Sequence, residues 1–354
     1  MNWIKIIFIN VLVFISICVV IISSLEIYAT LARPKISEFD NQLGWRLKKG
    51  LNRTFSEKRA SGDSYEVNFI TNELGLRAHI KEPSDLTLLV LGDSFTASPY
   101  ASNDQMWYSI FTKLLERKIK KEISIIAGGQ GGWGTYQNLL LAKNLLKKVD
   151  PDIFILQFCS NDYANNLYEW ESTSSVYHQY LNRPYAEFKN NEVISFRANG
   201  VKATLYRTFV NNSRVLSKTS SLLENYFSAN PDIYNPKISE KKLNEYISKS
   251  LKITSILLKN ISEVIGDRPK FMVNCFENNH LSLRGKWKQL AHEAGFLILE
   301  QPSLFVEKIQ RKDEPNLFHY LNQDGGHLSD TGNGLFGEIL FKEFVENGHD
   351  KDLN

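Results

Sequence analysis

The sequence predicts an α/β fold: a three-layer sandwich in which mainly parallel strands are covered by helices on both faces. Two observations predict it. From residue 86 onward, short apolar runs rich in β-branched residues alternate with longer helical stretches, the pattern that parallel strands joined by crossover helices produce. The chain has 354 residues, 43% of them hydrophobic, enough to bury the core that such a sandwich requires.

The first element stands apart from that pattern. Ile6 to Leu25, IIFINVLVFISICVVIISSL, carries no charge, and a helix of that length at 1.5 Å per residue spans roughly the 30 Å of bilayer hydrocarbon. We read residues 1–30 as an N-terminal membrane anchor. A signal peptide is the alternative, since Lys5 gives a basic start and Thr30-Leu31-Ala32 a weak cleavage site, but the apolar run outlasts the 7–15 residues usual for a signal core. Lys5 on one side and Arg33 and Lys35 on the other leave orientation undecided by the positive-inside rule.

Residues 31–85 read as an extended lead-in packing on the core. It holds Pro34, then LGWRLKKG and YEVNFITNELGLR as short extended pieces joined by turns. The regular region, 86–346, opens with TLLVL (87–91), a helix from about Asn103 to Lys120, SIIA (124–127), a helix from about Thr135 to Lys148, and DIFILQF (152–158). Residues 163–238 interrupt it. They are rich in Asn, Ser and Tyr, with Pro184 and the turn cluster ANPDIYNPK at 229–237. An insertion after a strand's carboxyl end sits over the edge where open α/β sheets bind ligands, so it reads as a lid or recognition subdomain, with a plain surface excursion as the alternative. The rhythm resumes with a helix near 240–265, KFMVN (270–274), a helix near 282–294, FLIL (296–299) and a last helix over 330–345.

Composition excludes several functions. A net charge of +3 without a block of like charge gives no nucleic-acid surface. The seven histidines are scattered and no two cysteines are close, so no metal-ligand spacing is present. Cys18 falls in the apolar helix. Cys159 and Cys275 each end an apolar run and read as free buried thiols.

Four stretches carry chemistry. In LLVLGDSFTAS, Ser94 follows a buried strand through Gly92 and Asp93, which places it at the carboxyl edge of the sheet; the alternative is an ordinary capped turn. The stretch is not the G-x-S-x-G elbow of standard α/β-hydrolases. In AGGQGGWGTYQ, Gly129 to Gly134 satisfies G-x-G-x-x-G, yet Asp150 and Asp152 precede the next strand and Asp162 is too distant to serve a ribose. Such a loop can instead offer backbone N–H groups to a developing oxyanion. In QFCSNDYANN, Asn161 lies past a strand on the same edge, where its amide can join that set or merely form an Asx-turn. In NQDGGHLSDTGN, Asp324 and His327 stand three apart across two glycines, a spacing that can present a base with a carboxylate behind it. His178, His280, His292 and His319 have no comparable loop.

Together, in this order, the four blocks resemble the SGNH (GDSL-like) hydrolase family over roughly 85–160 and 270–345, and the leader LGWRLKKG…NELGLR is similar to that of many bacterial membrane-linked members. By position, Ser94 matches the family's nucleophile, Gly132 its oxyanion glycine, Asn161 its asparagine, and Asp324 and His327 its acid and base. Two positions depart from the pattern: Ser160 stands where glycine is usual and Ala127 where asparagine is frequent. The resemblance implies a flavodoxin-like sandwich of five parallel strands and an ester-cleaving mechanism without cofactor. In it Ser94 is activated by His327, His327 is oriented by Asp324, and the oxyanion rests on the N–H groups of Ser94 and Gly132 and the Asn161 amide. Asp93 and Asp162 are expected to brace loops. The expected protein is a membrane-anchored serine esterase with its domain outside the cytoplasmic membrane. Its expected substrate is an acylated small molecule or envelope carbohydrate, with no nucleic-acid partner. An O-acyltransferase of the same chemistry and a non-catalytic glycan-binding protein are the alternatives.

Overall fold

The computed structural model describes residues 3–353 except 33–34, 80, 82, 175–177, 190–191, 230–237, 277–279 and 311–314. Past Ala229, the 229–237 turn cluster therefore lies outside the described residues. The chain opens with α1 (Trp3–Ala32), one uninterrupted helix, long and apolar enough to cross a membrane. Its Ile, Val, Leu and Phe side chains are largely exposed.

The lead-in forms two antiparallel hairpins, β1 (Ser37–Asp40) with β2 (Gly44–Leu47) and β3 (Asn52–Lys58) with β4 (Ser64–Ile70), then a short strand β5 (Arg77–His79). Asp40 Oδ1 accepts from the N–H groups of Gln42 (2.7 Å) and Leu43 (2.8 Å), tying the first turn. In β4 the alternation is plain: Val67 and Phe69 are buried, while Glu66 and Asn68 face out.

The regular region runs β6 (Leu86–Gly92), α2 (Ser94–Ala97), α3 (Trp107–Ile119), β7 (Ile123–Gly129), α4 (Thr135–Leu145) and β8 (Ile153–Phe158). The insertion contributes α5 (Asp162–Asn165), α6 (Tyr168–Ser174), the hairpin β9 (Pro184–Lys189) and β10 (Glu192–Arg197), α7 (Val201–Leu205) with a π-helical continuation over Tyr206–Val210, and α8 (Arg214–Ala229). The region closes with α9 (Glu240–Ile265), β11 (Lys270–Asn274), α10 (Lys286–Glu293), β12 (Leu297–Leu299), α11 (Gln301–Gln310) and α12 (Asp330–Glu346).

The central sheet has the order β12-β11-β8-β6-β7-β5, the first five parallel as expected from the sequence. The sixth, β5, comes from the lead-in and pairs antiparallel with β7; its three residues were too few to announce a strand. Alternate residues divide between two cores. Leu89, Leu91, Ile126, Phe154, Leu156 and Met272 pack under α4, α9 and α10. Leu88, Val90, Ile125, Ile155, Phe271 and Val273 pack under α3, α11 and α12. Burial on both faces explains why these strands read as continuous apolar runs rather than alternating ones.

Where boundaries differ from expectation, a local cause is visible. The helix expected from 103 is split: residues 103–105 form a 3-10 turn and Met106 is extended, so α3 starts at Trp107. Gly285, with φ +71°, delays α10 to Lys286. The free-thiol reading of Cys159 and Cys275 is corrected. β8 and β11 are neighbours with Phe158 opposite Asn274, so the next residue of each strand lies beside the other, Cα atoms 5.1 Å apart, and the sulfurs are bonded. Cys18 is free.

A buried ion pair ties the insertion together and to the lead-in. Arg183 donates from Nε and Nη2 to Glu171 Oε2 (2.6 Å) and Oε1 (2.8 Å), and its guanidinium lies 5.0 Å from the centre of the Trp45 ring. Both charged groups are almost wholly shielded from solvent. Removing one member strands the other in low dielectric. Glu171→Ala is therefore expected to lower the unfolding free energy by about 3–5 kcal/mol, read as a fall in the denaturant midpoint.

Candidate active site

β6 ends at Gly92, where a Cβ would collide with Thr96 and Gln157, so the strand turns sharply on a residue without a side chain. Asp93 caps the helix that follows, its Oδ1 accepting from Phe95 N–H at 3.0 Å. Ser94 is thereby the first residue of α2 and half-buried at the carboxyl edge of the sheet. The loop beyond α2 is fixed by buried Arg77 of β5, which donates to the carbonyls of Ala97 (3.1 Å), Ser98 and Ala101 (2.7 Å).

Asp324 and His327 reach the same edge on a closed loop. A bridge between Leu321 and Leu328 and a bond from Asn322 N–H to His327 O (2.9 Å) pinch it shut. Ser329, accepting from Gly332 N–H, then starts α12. Gly325 supplies the left-handed φ of +68° that the tight loop needs. Asp324 Oδ1 accepts from the N–H groups of Gly326 (2.6 Å) and His327 (3.1 Å), while Oδ2 faces His327 Nδ1 at 3.0 Å. His327 Nε2 lies 3.0 Å from Ser94 Oγ, across a sequence separation of 233. The imidazole sits between the rings of Phe95 (5.3 Å) and Tyr100 (5.4 Å), and Tyr100 Oη donates to Asp324 Oδ2 at 3.3 Å.

The glycine loop after β7 comes to the same place. An added Cβ on Gly131 would lie 3.9 Å from Ser94 Cβ. Gly132 has φ +75°, a backbone conformation that favours glycine, and the Gln179 amide lies where its Cβ would be. Trp45 Nε1 donates to Gly131 O (3.0 Å) and Asn165 Nδ2 to Gly132 O (3.2 Å). Because C=O and N–H oppose each other across a trans peptide, holding Gly131 O at Trp45 turns Gly132 N–H the other way. Asn161 opens α5; one of its two amide N–H groups meets Asp93 Oδ2 at 3.4 Å.

The carboxyl groups have distinct states. Partial burial opposes the charge of Asp324, yet the hydrogen bond and charge of His327, with Asn322 and Gly326 N–H, outweigh it and hold the carboxyl well below the usual range. Burial pushes Asp93 above its ordinary value, against the lowering by Phe95 N–H and His327. Asp162 is raised further by burial and then by the charge of Asp93; its Oδ2 accepts from Thr135 Oγ1 at 2.9 Å. Asp93 thus ties the first turn of α2 to Asn161, and Asp162 holds the first residue of α4.

A family model described as GDSL-like Lipase/Acylhydrolase matches residues 88–340. The chain belongs to the GDSL-like lipase/acylhydrolase family. No curated protein sequence matches it. Solved structures similar to it include the psychrotrophic esterase EstA from Pseudoalteromonas sp., 11% identical over 74% of this chain and 98% of that one, with a TM-score of 0.42. The lipase Lip_vut3 from a goat rumen metagenome is 16% identical over 73% and 97% (TM-score 0.39), and the acetylxylan esterase Axe2 from Geobacillus stearothermophilus 14% over 74% and 94% (TM-score 0.38). Likenesses this distant add nothing to the family assignment.

Within this family member, Ser94, Gly132, Asn161, Asp324 and His327 all gather at one edge of the sheet. Trp45, Arg77, Tyr100 and Asn165 were not singled out from the sequence. Trp45, Arg77 and Asn165 lie inside quoted blocks and Tyr100 just beyond one, but no spacing rule marks them. The Asp324–His327 contact predicts a pH signature. The carboxyl's pKa is lowered on folding from about 3.9, so the contact stabilises the protein above that pH and ceases to do so as pH falls through the folded value. Asp324→Asn should unfold more easily than wild type at pH 7, and the gap in thermal midpoint should shrink on acidification below about pH 4.

Proposed function

We propose that the protein is a membrane-anchored serine esterase that cleaves an O-acyl ester. The observation that carries this reading is the pair of 3.0 Å contacts joining Ser94 Oγ, His327 and Asp324 in one line. Ser94 Oγ attacks the acyl carbonyl carbon while its proton passes to His327 Nε2. Asp324 holds the Nδ1 proton and stabilises the imidazolium. The carbonyl oxygen, now negative, accepts from the N–H groups of Ser94 and Gly132 and the second amide N–H of Asn161. As the C–O bond to the alcohol breaks, His327 returns the proton to the leaving oxygen. A water, deprotonated by His327, then releases the acid and restores Ser94. If a sugar hydroxyl takes the place of that water, the same steps make an O-acyltransferase.

The placement of the enzyme has separate support. The exposed apolar surface of α1 suits lipid, and the Cys159–Cys275 bond suits an oxidising compartment outside the cytoplasmic membrane. Amide and aromatic groups beside Gly131, Gly132 and His327, namely Trp45, Gln179, Asn165 and Tyr100, suit a hydroxyl-rich acyl carrier such as an acylated carbohydrate.

Labelling with a fluorophosphonate probe tests the nucleophile. Wild type is expected to label and Ser94→Ala to remain unlabelled; equal labelling of both removes Ser94 from the role. Absence of label from both supports a non-catalytic glycan-binding protein instead. For the oxyanion donor, Asn161→Ala should lower kcat by about 10²–10³-fold with KM little changed. An unaltered kcat in a folded variant removes the Asn161 amide from the hole.

A further inference from the structure

The insertion contains a helix turned inside out. At 100° per residue, Val215, Leu216, Leu222, Leu223 and Tyr226 of α8 share one side, while Ser217, Ser220 and Glu224 share the opposite side. An amphipathic helix on a folded domain normally turns its apolar stripe to the core. In α8 the polar side faces the body: Glu224 Oε1 lies 2.9 Å from His178 Nδ1 and accepts from Ser220 Oγ at 2.9 Å. Leu216, Leu222, Leu223 and Tyr226 remain between 44% and 57% exposed. Just upstream, Val201, Leu205 and Phe209 recur every four residues along α7 and its π-helical continuation, at 51–77% exposure. Such a run of apolar side chains in water is unfavourable and marks a surface meant to be covered.

Its position says by what. α8 packs against α1. Glu26, the first charge after the uncharged run Ile6–Leu25, accepts from Ser213 Oγ (2.8 Å) and from the N–H groups of Val215 (3.0 Å) and Arg214, at the amino end of α8. The start of α8 is thus pinned at the level where the apolar run of α1 stops. Beside that junction, a cavity of about 290 Å³ is lined by Lys35 and Arg214 together with Trp45, Asn182 and Tyr206; its one carboxylate, Glu38, is paired with Arg46 at 3.0 Å, and Lys35 Nζ donates to Asn211 O at 3.1 Å. Partial burial and then the adjacent Arg214 charge lower the pKa of Lys35, against the raising effect of Glu26. Lys202 and Lys218 are exposed on the same segment.

We propose that the segment Val201–Tyr226 is a membrane-docking face, lying at the headgroup–acyl boundary beside α1 with the Lys35–Arg214 cavity taking the phosphate of an acidic phospholipid. An apolar stripe flanked by Lys and Arg is the surface that binds such an interface. The inference rests on the reading of α1 as a membrane anchor. A second attachment beside α1 fixes the tilt of the domain, and the same insertion contacts the glycine loop through Asn165 and Gln179, so docking sets the height of the Ser94 edge above the bilayer.

The test uses the full chain in vesicles of equal parts phosphatidylcholine and phosphatidylglycerol, doped with a phospholipid carrying a diazirine high in its acyl chain. After irradiation, adducts are mapped by mass spectrometry. Adducts are expected on α1 and on 201–226, with several-fold more on 201–226 from a phosphatidylglycerol probe than from a phosphatidylcholine probe. The triple variant L205E/L216E/L223E should lose the adducts on 201–226, keep those on α1, and hydrolyse a soluble ester as before. Lys35→Gln with Arg214→Gln should erase the lipid preference. Adducts on α1 alone overturn the docking face and leave the anchor standing; adducts on neither overturn the anchor as well. Protection of 201–226 by a second copy, seen as chain-to-chain cross-links without lipid adducts there, overturns the proposal in favour of a dimer, and equal yields from both probes overturn the phosphate site.

Discussion

The parallel register of the central sheet is the constraint on which the rest of the structure depends. Because β6, β7 and β8 run the same way and sit side by side, their carboxyl ends form one edge. Gly92 pairs with Gly129 in that register, so the Ser94 turn and the glycine loop leave the sheet as neighbours. Asn161 follows from the next strand. None of these residues needs a long side chain to reach the others, which is why small residues and short polar ones suffice there.

The imidazole is not delivered by the sheet. It arrives on a loop before α12, and the lead-in holds that loop from outside. Ala60 N–H donates to Leu321 O and Gln323 N–H to Lys58 O, both within 2.9 Å, while Arg59 pairs with Asp330 through two bonds of 2.7 and 3.0 Å. Trp45 does the same for the glycine loop, and Arg77 for the segment carrying Tyr100. The lead-in is therefore a clamp around the candidate site. An imidazole 3.0 Å from a serine hydroxyl keeps that distance only if its loop cannot drift, and the clamp supplies the fixity.

Burial gives the carboxylates different tasks. Asp324 stays ionised because a half-open loop offers it several donors and the His327 ring. Asp93 and Asp162, a short step away in the interior, are pushed toward the neutral form, and each carries hydrogen bonds that shape the turns after β6 and β8. The Cys159–Cys275 bond joins the ends of the neighbouring strands β8 and β11, with Cys159 Sγ 3.3 Å from Asp93 Oδ1. Both aspartates and the disulfide stiffen the interior behind the Ser94 edge.

The amino-acid sequence by itself determined the layered α/β architecture, since apolar runs and helical periods record local burial, and α9 and β11 begin and end where their patterns do. It also determined the chemical character of the edge: Ser94, Gly132, Asn161, Asp324 and His327 stand in four recognisable blocks. Tertiary structure alone decided the rest. The joining of β5 to the sheet, the pairing of Cys159 with Cys275, the grip of Trp45 and Arg59 and the outward turn of α8 all depend on which distant segments meet. Such meetings leave no period or spacing in the chain, because a contact between residues far apart constrains their shapes and charges together and neither one alone.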